Sequence, residues 1–470
     1  MSDYPKACII GAGSSGIAAA KVLQERGIPF DCIEKSDAVG GNWVFKNTNG
    51  MSSAYRSLHI NTSRDKMAYS DFPMPRDYPD YPHHTQIAKY FNDYVDHFGV
   101  RKNIAFKRTV TQATLGPDRL WRVRLDNGET RAYDALLVAN GHHWDARWPD
   151  PPLPGRFEGS EMHSHDYIDP SEPFDLYGKR VVIIGFGNSA LDIACELGRK
   201  DVCESVYLSM RRGYWVMPRY FGARVLDHDR PHPSKDLPAW RRLMPRALER
   251  FYLRKRLELV VGRPEQHGLP KPDHDLLESH PAVSHDIYNR IGSGDVLPKP
   301  DVKRFEGKRV IFADDTSIEA DVVIYATGYK ISFPFFDPGF ISAPANDIAL
   351  WQRMIDPRYE NLFFISLLQP LCATMPLAEE QSKLIAAYLR GEYLLPGRAD
   401  MEVQRIAMHE GTKARYVKTP RHTIQVDCAS YTFDLRCELK RGRARADLLG
   451  HPLPVPARAE ALMRHAAAAE

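Results

Sequence analysis

The chain predicts an α/β protein made of two dinucleotide-binding, Rossmann-like domains, the second inserted in the first and carrying a helical insertion of its own. Two observations predict it. A strand, glycine turn, helix and second strand are written twice, at "ACIIGAGSSGIAAAKVLQERGIPFDCIEKS" and at "RVVIIGFGNSALDIACELGRKDVCESVYLSMRRG". Each copy is later followed by a polar hairpin and an apolar strand that ends in a small-residue turn, so the architecture itself is duplicated and implies two nucleotide sites.

In the first copy, Gly11 permits the tight turn and Gly13 lets a pyrophosphate approach the backbone. Gly16 lets the helix pack closely on the strand, and the first helical N–H groups are left aimed at the phosphates. The second strand ends at Glu34, about 20 residues on, where a carboxylate can accept hydrogen bonds from a ribose. A glycine turn that binds no nucleotide is the plainer reading of the same residues. The first half closes with "LWRVRLDNGETRAYDALLVANGHH", in which Asp126 to Gly128 signal a hairpin and Asn140 and Gly141 mark the returning strand tip.

A proline-rich connection, "PDPPLPGRFEG", leads into "RFEGSEMHSHDY", which sets His163 and His165 two residues apart beside Glu158, Glu161 and Asp166. In an extended segment the two imidazoles share a face and could meet one zinc. Zinc usually draws at least a third protein ligand, and no cysteine or third histidine lies nearby, so no metal is expected. The stretch reads instead as a joint between two nucleotide sites, with His163 bonding backbone or cofactor and His165 facing solvent.

In the second copy Gly185 and Gly187 take the first two glycine places and Ala190 the third. Where the first copy has Glu34, this one has Arg211 and Arg212, and a guanidinium suits the 2′-phosphate of NADPH. Two arginines on a solvated strand end remain the alternative. Residues 215–295 form an insertion rich in Pro, His and Arg, and "RRLMPRALERFYLRKRLELV" fits an amphipathic helix, solvated rather than laid on a membrane. "RVIFADDTSIEADVVIYATGYK" then repeats the hairpin and ends at Thr327 and Gly328. The expected division is residues 1–155 and 325–470 for the first domain and 156–324 for the second.

The 470 residues, 43% hydrophobic, can fill substantial cores. A formal charge of +3 with 26% charged residues gives no broad basic field, so neither nucleic acid nor an anionic membrane is the expected partner. The seven cysteines are scattered without a CxxC pair and read as reduced thiols. No secretory signal precedes the first strand and no apolar run approaches the roughly 18 residues of a membrane span, so the expected location is the cytoplasm. The end, "RAEALMRHAAAAE", reads as a frayed helix or a disordered tail without an anchor.

Phe157, Gly159, His163 and Tyr167 resemble the FxGxxxHxxxY fingerprint of the class B flavoprotein monooxygenases, in particular the flavin-containing monooxygenase family. "EKSDAVGGNWVF", "SLHINTSRDKMAYSDFPMP", "GFGNSALDIA", "SMRRGYWVMPR", "VVIYATGYK" and "SLLQPLCATMPLAEEQSKLIAAYL" resemble family segments in the family order. The resemblance implies FAD in the first site and NADPH in the second. Gly11, Gly13, Gly16 and Glu34 would serve the adenosine diphosphate of FAD, and Gly41, Trp43 and Gln369 would lie toward its flavin. Gly185, Gly187, Asn188, Ser189, Ser209 and Arg211 would hold the nicotinamide cofactor, with His163 and Tyr167 beside it. Arg212 departs from the small hydroxyl residue expected there, and would add to phosphate binding.

The same resemblance implies the chemistry: hydride passes from NADPH to FAD, and O2 yields a C4a-hydroperoxyflavin that oxygenates a soft amine nitrogen or sulfide sulfur. Asn61, in "INTSRDKM", matches the family's active-site asparagine and would orient the oxygen; a turn asparagine satisfied by its own backbone is the alternative. Baeyer–Villiger enzymes, which act on ketones, typically end the fingerprint with Trp and then Pro or Asp, whereas Tyr167 is followed here by Ile168. Disulfide reductases also pair FAD with NADPH but need a redox cysteine pair, and none is expected. A cofactor-binding redox module without oxygenation is the reading from another class. His59, His142 and His143 lie near cofactor segments and receive no catalytic role.

Overall fold

A computed structural model describes residues 4–417, 419 and 422–454. The C-terminal stretch read as a frayed or disordered tail lies outside the described residues. Ala7–Ile10 is buried along its whole length, as an apolar strand covered on both faces must be. It pairs in parallel with Phe30–Ile33 and Ala135–Val138, with Ile10 opposite both Ile33 and Val138. That register brings Gly11, Glu34 and Ala139 to one edge of the sheet. Helix Ser14–Glu25, with Gly16 and Ala18 to Ala20 buried, packs against helix Met375–Leu389, so the chain's last third closes over its first turn.

The two five-stranded sheets correspond strand for strand. The first runs, in space, Leu362–Phe364, Ala135–Val138, Ala7–Ile10, Phe30–Ile33, Ile104–Ala105. The second runs Ser160–His163, Val322–Tyr325, Arg180–Ile184, Ser205–Ser209, Leu297–Lys299. Both hairpins expected from the sequence form, as Trp121–Leu125 with Thr130–Tyr133 and as Arg309–Phe312 with Ser317–Glu319. The outer strand of the first sheet comes from beyond the second half, and the outer strand of the second comes from before its glycine turn. The stretch read as a joint is therefore an edge strand of the second sheet, with His163 opposite Tyr325.

Further contacts between the halves lie outside that stretch. Tyr55 Oη donates to Asp192 Oδ2 at 2.5 Å, and Ser57 Oγ donates to Glu196 Oε2 at 2.8 Å, both on helix Asn188–Leu197. Arg56 pairs with Asp169 at 2.6 Å. Tyr167 joins this set from the other side, its hydroxyl donating to Glu196 at 2.9 Å.

The insertion holds a two-strand parallel pair, Val216–Met217 with Ala282–Val283, and a helix at Arg246–Val261. The helix begins after Pro245, later than the periodicity suggested, because a proline fits a helix start and not its interior. Of its apolar residues Leu257 is buried, whereas Leu248, Phe251, Tyr252 and Leu259 are exposed. No helix among the described residues is long and apolar enough to cross a membrane.

The reading of every cysteine as a free thiol is corrected by a disulfide between Cys372 and Cys428, 56 residues apart in sequence. Gln369–Pro370 pairs in parallel with Gln425–Val426, and this short ladder carries both cysteines to a Cα separation of 6.2 Å. The pairing is long-range, so cysteine spacing held no trace of it. Cys8, Cys32, Cys195, Cys203 and Cys437 are free.

Candidate functional site

The strand tips of both sheets open into one continuous cavity of about 1660 Å³. At its first end Gly11 has φ +100°, and a Cβ there would lie 2.7 Å from the Ala139 carbonyl oxygen. At Gly16 a Cβ would lie 1.8 Å from the Gly11 carbonyl oxygen, so the helix can rest on the turn only without a side chain. Gly13 and Gly41 face each other backbone to backbone, a Cβ on Gly41 falling 3.1 Å from the Gly13 Cα. The result is a slot walled by main chain at the N-terminus of a helix, which fits a pyrophosphate.

Glu34 sits beside this slot, 5% exposed. Its carboxylate accepts from Ala12 N and Ser36 N, both at 2.6 Å. Burial raises its pKa, and these two N–H groups oppose the shift. A carboxylate offers about four acceptor sites, so two N–H donors leave room for ribose hydroxyls. Lys35, Arg108 and Thr109 also line this end and carried no local sequence signal. Lys35 follows Glu34 directly, and Arg108 and Thr109 arrive because Arg108 N donates to Glu34 O at 3.0 Å.

At the second end Gly185 has φ +131°, and a Cβ there would meet the Ala326 carbonyl oxygen at 2.4 Å. Gly187 caps helix Asn188–Leu197, and Ala190 packs fully buried in the third glycine place. Asn188 and Ser209 line the cavity while holding its wall: Asn188 Oδ1 accepts from Val283 N at 2.9 Å, and Ser209 Oγ donates to Pro300 O at 2.8 Å. Ser189 and Arg211 line the cavity as well. The fit to a dinucleotide is the same as at the first end, with a cation in place of a carboxylate at the strand tip.

Between the ends lie Trp43, Asn61 and Gln369. Trp43 is placed by the turn Gly41–Trp43, and Gln369 by its strand pairing, with Gln369 N donating to Ile424 O at 2.9 Å. No hydrogen bond among the described residues engages the Asn61 side-chain amide, so the self-satisfied turn asparagine is not what forms. Its neighbour is tied down instead, Ser63 N donating to Asp227 Oδ2 at 2.9 Å. His59, His142 and His143 line the same space, and burial holds His142 well below the usual imidazole range.

Four residues expected at the cofactors do not line the cavity. Gly16 lies beneath the turn, as its packing role requires. Arg212 turns to the insertion, where it pairs with Asp273 at 2.6 Å and stacks over Tyr214. His163 is fully buried, its Nδ1 accepting from His165 N at 3.1 Å. Burial and the neighbouring His165 lower the His163 pKa to about 4. Tyr167 is fully buried and reaches Glu196 rather than the cavity. His165, expected in solvent, is half-buried with Nε2 3.1 Å from Gly50 O. Among the described residues no three His, Cys, Asp or Glu side chains gather to hold a metal.

Two features were missed. Asp192 lines the cavity, and burial raises its carboxyl to about 6 while Tyr55 donates to it. The Cys372–Cys428 disulfide also lines the cavity, so a cysteine pair of the kind a disulfide reductase needs stands where none was expected.

A family model described as flavin-binding monooxygenase-like matches residues 5–448. The chain is 35% identical over 438 residues to flavin-containing monooxygenase 5 of Oryctolagus cuniculus, covering 90% of this chain and 80% of that protein. It is 31% identical over 448 residues to dimethylaniline monooxygenase [N-oxide-forming] 2 of the same organism, covering 92% and 82%. The solved structure of S-allyl-L-cysteine S-oxygenase from Allium sativum superposes with a TM-score of 0.67 at 23% identity, covering 94% of this chain and 88% of that one.

Proposed function

The chain belongs to the flavin-binding monooxygenase-like family, and from that premise we propose that it inserts one oxygen atom of O2 into a soft nitrogen or sulfur of a small molecule. It is a flavin-dependent monooxygenase of the FAD- and NADPH-using kind. The observation that carries the proposal is the single cavity joining both glycine turns, with the unengaged Asn61 amide between them. We assign FAD to the residues around Gly11, Gly13, Gly41 and Glu34, and NADPH to those around Gly185, Gly187 and Arg211. The matching domains are residues 1–155 with 325–470, and 156–324 with its insertion at 215–295. This division is supported by which strands each sheet draws on.

Bound there, the two cofactors supply hydride transfer and the activation of dioxygen. The chain supplies position and exclusion of water. Asn61 carries both a donor and an acceptor, and its free amide can orient an oxygen atom. Leu368, Gln369 and Trp43 wall the same space and limit solvent. The N-oxide-forming relative favours nitrogen over ketones, and so does Tyr167 followed by Ile168.

The test is NADPH consumption with a panel of tertiary amines, thioethers and cyclic ketones, with products identified by mass and hydrogen peroxide measured. N-oxides or S-oxides are expected from the wild type, and Asn61→Ala should divert reducing equivalents to peroxide. Lactones or esters as the main products would replace this reading with Baeyer–Villiger oxidation. Peroxide alone with every substrate would replace it with a redox module.

A further inference from the structure

We propose that Arg147 is the second cation of the 2′-phosphate site and so determines the preference for NADPH over NADH, an inference that rests on the assignment of Arg211 above. Arg147 comes from the segment that leaves the first sheet and crosses to the second. Its path is fixed by main-chain bonds: Asp145–Ala146 pairs antiparallel with Tyr329–Lys330, and Arg147 N donates to Gly328 O at 2.9 Å. Thr327 Oγ1 donates to the Arg147 carbonyl oxygen. Thr327 and Gly328 form the turn beyond Val322–Tyr325, next to strand Arg180–Ile184, which leads into Gly185. The following residue, Trp148, rests its ring on Tyr325 and His163, with centroids 5.1 and 5.8 Å apart.

The half-buried Arg147 therefore sits on the phosphate edge of the second sheet and lines the same cavity as Arg211. Burial lowers its pKa first, and the positive field of Arg211 lowers it further, so the two guanidinium groups feel each other. Neither has a carboxylate partner among the described residues. Arg212, the sequence neighbour that would otherwise complete the site, is committed to Asp273. Two like charges facing one cavity without a counter-ion cost free energy, which a dianionic phosphate between two guanidinium forks reverses.

The experiment measures equilibrium binding of 2′,5′-ADP, 5′-AMP and 5′-ADP to the FAD-loaded protein by calorimetry, for wild type, Arg147→Gln, Arg147→Lys and Arg211→Gln. Arg147→Gln should weaken 2′,5′-ADP by on the order of ten-fold or more and leave the other two ligands unchanged. Arg147→Lys, which keeps the charge, should recover part of the loss. The backbone bonds do not involve the side chain, so FAD content and the melting temperature should match wild type. A loss shared equally with 5′-ADP would mean that Arg147 meets the pyrophosphate, and would overturn the proposal. Selective loss in Arg211→Gln with none in Arg147→Gln would overturn it while leaving the site standing. No selective loss in either variant would overturn both.

Discussion

At the first glycine turn the neighbouring strand ends in Glu34, buried and already accepting two backbone N–H groups, whereas at the second it ends near Arg211, exposed and without a carboxylate partner among the described residues. Both turns use the same glycine geometry and the same strand register. The difference is in how much of each site the protein completes by itself. Around Glu34 the polar groups satisfy one another before any ligand arrives, which suits a cofactor that stays. Around Arg211 the charge is left for a ligand to neutralise, which suits a cofactor that enters and leaves.

The sharpest way to break this comparison is at the third glycine place. A Cβ on Gly16 would meet the Gly11 carbonyl oxygen at 1.8 Å, and backbone on both sides cannot yield cheaply. Gly16→Ala should therefore lose FAD and about 3 kcal/mol of stability. At the equivalent Ala190 a Cβ is already packed, so Ala190→Gly should cost only about 1 kcal/mol of helix propensity. Flavin-to-protein absorbance ratios and thermal melts report both. A Gly16→Ala protein that is yellow and as stable as wild type would show that the close packing is not required.

Next in size is the charge at the second strand tip. Arg211→Ala should weaken NADPH use by about 1.5–3 kcal/mol and NADH use by little, since only the former has a phosphate to lose. Equal losses in kcat/KM with both cofactors would remove Arg211 from the phosphate site.

A smaller effect separates the seam between the halves from the edge strand beside it. The folded-state pKa of Asp192 is raised to about 6, so the native state holds its proton more tightly than the unfolded chain and stability from this group falls as pH rises from about 4 through 6. For His163, lowered to about 4, the unfolded chain binds the proton more tightly, so stability from this group rises between about pH 4 and 6.5. The two slopes oppose each other. Denaturant titrations across this range should show a steeper rise with pH in Asp192→Asn than in wild type; an unchanged slope would mean that the Tyr55–Asp192 contact does not titrate there.

Both turns, both hairpins and the strand tips could be read from the sequence because each is a local pattern of glycines and alternating apolar residues. Of the residues that such patterns place, Gly11, Gly13, Glu34, Gly185, Gly187 and Arg211 reach the cavity. What could not be read was set by long-range pairing. The parallel ladder at Gln369 and Gln425 brings Cys372 to Cys428, and the crossing at Asp145 and Lys330 brings Arg147 to the second sheet. His163 and Tyr167 were expected at the cofactor from the fingerprint they resemble, and His163 also because it stands between two sites in sequence. In space they form an edge strand and a buried prop for Glu196, distinctions that depend on which sheet captures the segment.

The smallest expected effect concerns Arg212, and it sharpens the contrast with its neighbour. Arg211 and Arg212 lie in the bend just past strand Ser205–Ser209, and their side chains part there. Arg211 takes the cavity side, and Arg212 takes Asp273 with its side chain 20% exposed against 56% for the aspartate. A pair of this kind, with its carboxylate open to solvent, contributes about 0.2–1 kcal/mol. Arg212→Ala should therefore lower stability by no more than that and leave the Kd for NADPH within about two-fold of wild type, well under the 1.4 kcal/mol that a ten-fold change would require. Calorimetric titration beside Arg211→Ala decides the point. If the two variants lose NADPH binding equally, the phosphate recruits both arginines and the Asp273 pair opens when the cofactor binds.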